Sequence, residues 1–300
     1  MTPELTRRLR EAGLRPQAVD DLVRTALAED GEIDVTSEPI FGPDDVSTGE
    51  FVARQDGVVA GLPIAEVVFA VLAERSGPAA GEILRVDRRA ADGDRVRSGD
   101  VLLAVTGPTR ALLRAERTVL NLLTHLSGIA SLTRRWVDAV EDTKARIRDT
   151  RKTLPGMREL QKYAVRCGGG VNHRMGLQDA ALVKDNHVAA AGSITMAYQA
   201  IRSRFPDLHI QVECDTLDQV EEALAAGATT ILLDNMGIEQ LTEAVRLAGD
   251  RAELEASGGL AFAGVRDVAE TGVDYLAVGA LTHSAPALDI GLDFVGRSQS

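Results

Sequence analysis

Lysine is almost missing from this chain: four stand beside twenty-nine Arg in 300 residues, and none precedes Lys144. A carrier module of the biotinyl or lipoyl kind needs an acceptor lysine on a hairpin turn. The stretch ADGDRVRSGDVLLAVTG has the look of such a hairpin, but it carries no lysine. Cysteine is scarce as well. Cys167 and Cys214 make neither a disulfide framework nor a CxxC metal spacing, which suits a reducing compartment. Aromatic residues make up only 3% of the chain, too few to interleave basic residues for base stacking. A net charge of -12 and a pI near 5.0 also argue against a nucleic-acid partner. No apolar run approaches the roughly eighteen residues that would suggest a bilayer span. The opening MTPELTRRLREAGL has no apolar signal core. The expectation is a soluble cytoplasmic protein without a membrane partner.

What is present is an island of positive charge. From Lys144 to Lys184 ten Lys or Arg face three acids (Asp149, Glu159, Asp179), and all four lysines lie in this window. A basic run is often only a solvated face. Here the cations alternate with Pro-Gly, Gly-Gly-Gly and Asn-His, so they belong to loops that bend around something small. In an Arg-biased composition a remaining lysine hints at a compact point charge rather than a planar fork. The pattern favours a small, highly charged anionic ligand.

Two domains are expected. After one or two polar helices in residues 1 to about 30, short strand-like runs occupy 50–55, 57–60, 81–86 and 101–106, and Pro63 opens a helix to Arg75. This first part, residues 1–114, reads as an α+β, β-sandwich-like domain. A helical passage runs from about Arg114 to Val140, and a barrel domain is expected over 115–286. The tail from about 287 to 300 is expected to pack back on the first domain. The barrel expectation rests on repetition: apolar runs end at Lys152, Lys184, Glu213, Asp234, Ser257 and Gly279, at intervals of 32, 29, 21, 23 and 22 residues, the length of a βα unit. In such α/β barrels reactive groups stand at the C-terminal ends of several strands, and phosphate tends to sit on the last two loops. Ser257, Gly258 and Gly259, then Val278, Gly279 and Ala280, occupy those loops, where glycine lets backbone amides approach phosphate oxygens.

Each candidate has a plainer reading. Glu213 and Asp234 could be hydrogen-bonded acids of a barrel mouth. As two acids on successive strand ends facing a cationic rim, they are better read as partners of a divalent metal or of a developing positive charge. His125, inside an apolar helical stretch, reads as a satisfied core histidine, whereas His173 follows three glycines between Asn172 and Arg174. Arg117, after Glu116 on the long helix, could be an ordinary surface charge.

The blocks ERTVLNLLTHLSGIAS, DTRKTLPGMRELQKYAVRCGGGVNHRMGLQDAALVKDNH, VECDTLDQVEEALAAGATTILLDNM, EASGGL and GVDYLAVGALTHSAPALDIGLDF resemble the quinolinate phosphoribosyltransferases, from about residue 20 to the end. The resemblance implies an N-terminal β-containing domain and an incomplete α/β barrel. It also implies transfer of phosphoribosyl from 5-phosphoribosyl 1-pyrophosphate to quinolinate with loss of CO2. Arg117, Thr150, Arg151, Lys152, His173, Arg174 and Lys184 would then surround the two substrates. Glu213 and Asp234 would lie near the ribose and Mg²⁺, with Lys152, Glu213 and Asp234 as the catalytic groups, and Ser257, Gly258 and Gly279 would hold phosphate. The resemblance further implies a homodimer, with higher homo-oligomers left open, whose sites are completed across the interface by Arg117. Two other readings stay open. One is a phosphoribosyltransferase-like protein associated with molybdate transport; the other is a barrel aldolase or decarboxylase that forms a Schiff base on Lys152 or Lys184.

Overall fold

Alternation and continuous apolar runs give two sheets of opposite grammar in a computed structural model that describes residues 1–31, 33–76 and 84–295. The strands with turn-punctuated alternation pair antiparallel, and the short Val/Ile/Leu-rich strands pair parallel. The chain accordingly divides into one unit of Met1–Leu132, Leu154–Gly169 and Ser284–Ser300, and a second of Thr133–Thr153 and Gly170–His283.

In the first unit, helices α1 (Pro3–Glu11) and α2 (Pro16–Glu29) each begin with proline, whose fixed φ suits a first turn. A short helix α3 (Ser37–Ile40) follows, then strands β1 (Val46–Ala53) and β2 (Gly57–Val58), and helix α4 (Leu62–Ser76). Strands β3 (Arg85–Arg88), β4 (Arg95–Val96) and β5 (Val101–Pro108) come next, and then the long helix α5 (Thr109–Ala139). Strands β1, β5 and β3 join the C-terminal β12 (Ile290–Phe294) in one sheet of order β12-β1-β5-β3, while β2 and β4 form a separate ribbon. Phe51 of β1 meets Phe69 of α4 edge to face, with centroids 6.1 Å apart, in a core of buried Val, Leu and Ile. The half-buried Asp92 carboxylate accepts the backbone N–H groups of Gly61 and Leu62 at the start of α4 and the Tyr163 hydroxyl at 2.6 Å. Burial pushes its pKa up.

The tail lies on this first unit. β12 pairs with β1 from Gly49↔Phe294 to Ala53↔Ile290, and Leu288 N–H donates to the Thr124 carbonyl of α5. A β-carbon at Gly128 would overlap the carbonyl oxygen of Pro286, which explains a glycine in mid-helix against its propensity cost of about 1 kcal/mol. Residues 296–300 of the expected tail and 81–83 of the expected strand 81–86 lie outside the described residues; β3 begins at Arg85. The division between the units falls after Leu132, inside α5, which continues unbroken past residue 115. His125 is bonded to Gln161 Nε2 at 2.9 Å, as a satisfied half-buried histidine should be.

The second unit carries the parallel sheet. Strands β6 (Arg146–Arg148), β7 (Ala181–Val183), β8 (Ile210–Cys214), β9 (Thr230–Asp234), β10 (Glu253–Ser257) and β11 (Tyr275–Ala277) line up in the order β6-β11-β10-β9-β8-β7. Among the described residues no ladder joins β6 to β7, so the barrel is incomplete. Between these two strands the chain sends helix α6 (Arg158–Cys167) into the first unit. The other strands are linked by ordinary crossovers: α7 (Asp185–Ala191) and α8 (Ile194–Arg204), then α9 (Leu217–Ala225), α10 (Ile238–Ala248) and α11 (Val265–Glu270). Four residues, Ala280–His283, form the last helix, α12. Ser193 and Thr216 cap α8 and α9 through their hydroxyls. Among the described residues no helix is long and apolar enough to cross a membrane.

Candidate active site

The sequence pattern and the period-two alternation of strands put one set of side chains at the C-terminal ends of the parallel sheet. Gln211 and Glu213 on β8, Leu232 and Asp234 on β9, and Glu255 and Ser257 on β10 share one side of their strands, with Glu213 beside Leu232 and Asp234 beside Ser257 in register. Thr150, Arg151 and Lys152 follow β6, and Lys184 follows β7. Together with His173, Arg174, Leu182 and Ala277 these groups, Gln211 excepted, line a cavity of about 430 Å³.

The loop that brings His173 and Arg174 to the cavity hangs on a buried carboxylate. Asp149, with no exposed surface, accepts Asn172 Nδ2–H at 2.6 Å and the His173 backbone N–H at 2.8 Å. Arg174 Nη1 donates to the Ala180 carbonyl at 2.6 Å, which aims the guanidinium along the cavity wall. The Nε atoms of Arg151 and Arg174 are buried without a hydrogen-bond partner, as is Oε1 of Glu255. Burial, aided by repulsion from Arg151, pulls the Arg174 pKa down. Two guanidiniums in this condition are stabilised by an anion that accepts from both.

Part of the charge is already balanced. Lys184 Nζ donates to Glu213 Oε2 at 2.7 Å, and Arg148 Nη1 to Glu255 Oε2 at 2.7 Å. The surplus positive charge therefore sits on Arg151, Lys152 and Arg174, opposite Asp234. Asn235 Nδ2 donates to Asp234 Oδ2 at 2.7 Å from a left-handed backbone, φ 55°. The φ of Gly258 is +89°, and a β-carbon there would strike the Asn235 side chain, so glycine is required at 258 for packing as well as conformation. At Gly279 a β-carbon would come within 3.1 Å of Lys152 Cδ.

Among the described residues no group of three or more His, Cys, Asp or Glu side chains is placed to hold a metal. Magnesium, however, commonly takes only one or two protein carboxylates and completes its shell with substrate phosphates and water. Glu213 and Asp234, on adjoining strands at the cavity, match that donor set for an ion arriving with a phosphorylated substrate, though Glu213 would share itself with Lys184.

With this geometry in hand, comparison with known proteins is decisive. Residues 129–293 match the model of the quinolinate phosphoribosyl transferase C-terminal domain, and residues 34–127 match that of its N-terminal domain. The chain belongs to the quinolinate phosphoribosyltransferase family. It is 51% identical over 281 residues to the carboxylating nicotinate-nucleotide pyrophosphorylase of Mycobacterium leprae, covering 92% of this chain and 97% of that one. A probable enzyme of the same name from Bacillus subtilis is 42% identical over 275 residues, with 91% and 92% covered. The crystal structure of nicotinate-nucleotide pyrophosphorylase from Ehrlichia chaffeensis superposes with a TM-score of 0.85 at 40% identity, covering 92% of this chain and 98% of that one.

In this quinolinate phosphoribosyltransferase family member nine of the expected residues meet at one cavity: Thr150, Arg151, Lys152, His173, Arg174, Lys184, Glu213, Asp234 and Ser257. Gly258, Gly259, Val278 and Gly279 lie on the loops just beyond β10 and β11, Ala280 begins α12, and none of the five is among the lining groups. Arg117 is exposed on α5, in the first unit, and does not line the cavity either. Four lining residues were not anticipated: Leu182, Leu232, Glu255 and Ala277. The alternation would have shown Glu255, since it stands two residues before Ser257 on the same side of β10.

Proposed function

We infer that this chain transfers the phosphoribosyl group of 5-phosphoribosyl 1-pyrophosphate to the ring nitrogen of quinolinate, with loss of CO2, giving nicotinate mononucleotide and pyrophosphate for the de novo synthesis of NAD. The observation that carries this reading is the cavity itself. In an acidic chain it gathers Arg151, Lys152, Arg174 and Lys184 at the mouth of a barrel whose family shares the activity. We propose that the reaction runs in the cytoplasm on these small molecules alone.

The residues supply what the chemistry asks for. Both substrates are multiply anionic, and their approach is unfavourable until cations screen it. Arg151 and Arg174 can each grip a planar carboxylate through two hydrogen bonds, and their Nε atoms lack partners. Lys152 and Lys184 serve pyrophosphate as point charges. As the bond from ribose C1 to pyrophosphate stretches, the sugar gains oxocarbenium character, which a nearby carboxylate stabilises. Asp234, held by Asn235, would take that role, with Glu213 on the neighbouring strand. Magnesium, held by Glu213 and Asp234 with the donor's oxygens, would neutralise the leaving group. Once the ring nitrogen is alkylated, the pyridinium withdraws electrons from C2, and loss of CO2 there needs positioning rather than a covalent enzyme intermediate. Backbone amides around Ser257, Gly258, Gly259, Val278, Gly279 and Ala280 would receive the 5-phosphate.

We also propose a homodimer in which each subunit lends Arg117 to the other's cavity. The position of Arg117 on α5, before the barrel strands in sequence, supports it.

Discrimination against nicotinate tests the main reading. A site that pairs a second carboxylate leaves buried guanidinium donors unpaired when it is missing, so kcat/KM with nicotinate should fall by a thousandfold or more, roughly 4 kcal/mol. Comparable turnover of nicotinate in a discontinuous product assay would sink it. Asp234→Asn should lower kcat by roughly a hundredfold or more, given about 3 kcal/mol for one transition-state contact, and excess chelator should abolish turnover. Full activity in chelator would remove magnesium from the account. For the dimer, Arg117→Ala and Lys152→Ala should each be nearly inactive. Randomly exchanged in equal amounts they should recover about a quarter of wild-type activity, because half the dimers then hold one intact site. No recovery, with exchange confirmed by mass, would mean that Arg117 acts in its own subunit or not at all.

A further inference from the structure

Beneath the cavity runs a chain of hydrogen bonds whose polarity is fixed by its members. Arg148 Nη1 donates to Glu255 Oε2 at 2.7 Å, and its guanidinium lies 3.5 Å from the centroid of the Tyr275 ring. Gln211 Nε2 donates to the same carboxylate oxygen at 2.9 Å, and Gln211 Oε1 is 2.9 Å from His173 Nε2. On the far side of the imidazole, the Arg174 backbone nitrogen is 2.9 Å from His173 Nδ1. Gln211 and Glu255 are both buried, at 4% and 1% exposure, so water does not substitute for these partners.

Each link then dictates the next. An ionised carboxylate only accepts, so the nitrogen end of Gln211 must face Glu255 and its oxygen must face His173. An amide oxygen also only accepts, which requires a hydrogen on His173 Nε2. A backbone N–H only donates, which requires a lone pair on Nδ1. The two demands come from opposite edges of the ring and agree on one species.

We infer that Gln211, oriented by Glu255 and Arg148, is a positioning residue that holds His173 as the neutral tautomer protonated on Nε2. The inference rests on reading the cavity as the quinolinate site, and within that reading it changes the role of His173. The substrate carboxylates meet Arg151 and Arg174, while His173 forms a rigid neutral wall beside them. A proton on Nδ1 would point at the Arg174 N–H and break that bond. Of the charged groups around the ring, Arg174 and Arg151 oppose a further positive charge. Asp149, which accepts from the His173 backbone, and Glu255, whose Oε1 is 3.9 Å from Nε2, favour one. Glu255 is already neutralised by Arg148, which leaves the hydrogen-bond pattern to decide. Neutrality has a use at this place. An imidazolium would let one carboxylate be held by a group that releases its charge near neutral pH, whereas the arginines stay charged throughout.

The state of the ring is directly measurable. In full-length protein labelled with ¹⁵N-histidine, the chain's five histidines give separable two-bond proton–nitrogen patterns, and His173 is assigned by its loss in His173→Gln. At pH 7.5 the expected pattern is protonated Nε2 and bare Nδ1, unchanged when quinolinate is added. Protonation on Nδ1, or on both nitrogens with quinolinate bound, overturns the proposal even if the enzyme turns over quinolinate. Conversely, the expected pattern in a protein that ignores quinolinate would fault the functional reading and leave this one standing. Gln211→Met removes the acceptor at nearly constant volume. It should raise KM for quinolinate by about tenfold, the loss of one positioned hydrogen bond, with KM for the sugar donor changed less than threefold. A Gln211→Met protein with the wild-type ring pattern and KM would reduce Gln211 to packing; should that variant fail to fold, the wild-type spectrum alone decides.

Discussion

Uncompensated positive charge at the mouth of the parallel sheet is the constraint on which the rest of the structure depends. Two like charges 4 Å apart repel by about 4 kcal/mol at the effective dielectric near a protein surface, and this chain sets Arg151 and Arg174 within each other's field, partly buried. Such an arrangement persists only if the scaffold over-determines it. The loop of His173 and Arg174 is tied to Asp149, the Arg174 guanidinium to the Ala180 carbonyl, and Lys184 to Glu213. The parallel strands hold the anchor points of all these ties in register. What the scaffold leaves unpaired, the Nε atoms of the two arginines, is what a dianionic substrate can satisfy.

The same logic separates the cavity's acids by task. Glu255 lies deep, is shared by Arg148 and Gln211, and belongs to the framework that orients His173. Asp234 lies at the mouth, held by one side-chain amide from the next residue, where charge would develop on the ribose. Glu213 stands between these conditions, paired with a lysine that phosphate can draw away. Burial and partner number, rather than residue type, set these three carboxylates apart.

Much of this was legible in the sequence because it follows from spacing. The repeat of strand ends located Lys184, Glu213, Asp234 and Ser257, and each stands within one residue of the C-terminal end of its strand. The charge island located Arg151, Lys152 and Arg174. Less legible were contacts between residues far apart in sequence. Gln211 and Glu255 carry no motif and matter only because strands 44 residues apart bring them within 2.9 Å. Composition could not place the unit boundary, since α5 is helical on both sides of Leu132. Nor did the interval of 32 residues between the first two strand ends reveal that α6 leaves the barrel unit.

The central claim is that one cation-lined cavity joins phosphoribosyl transfer to decarboxylation. Quinolinate labelled with ¹⁴C in its 2-carboxyl group, incubated with the phosphoribosyl donor and Mg²⁺, tests it most directly. The account predicts labelled CO2, pyrophosphate and nicotinate mononucleotide in equal amounts, with no CO2 when the donor is omitted. CO2 released without the donor, or pyrophosphate released with the label retained in the product, would contradict it.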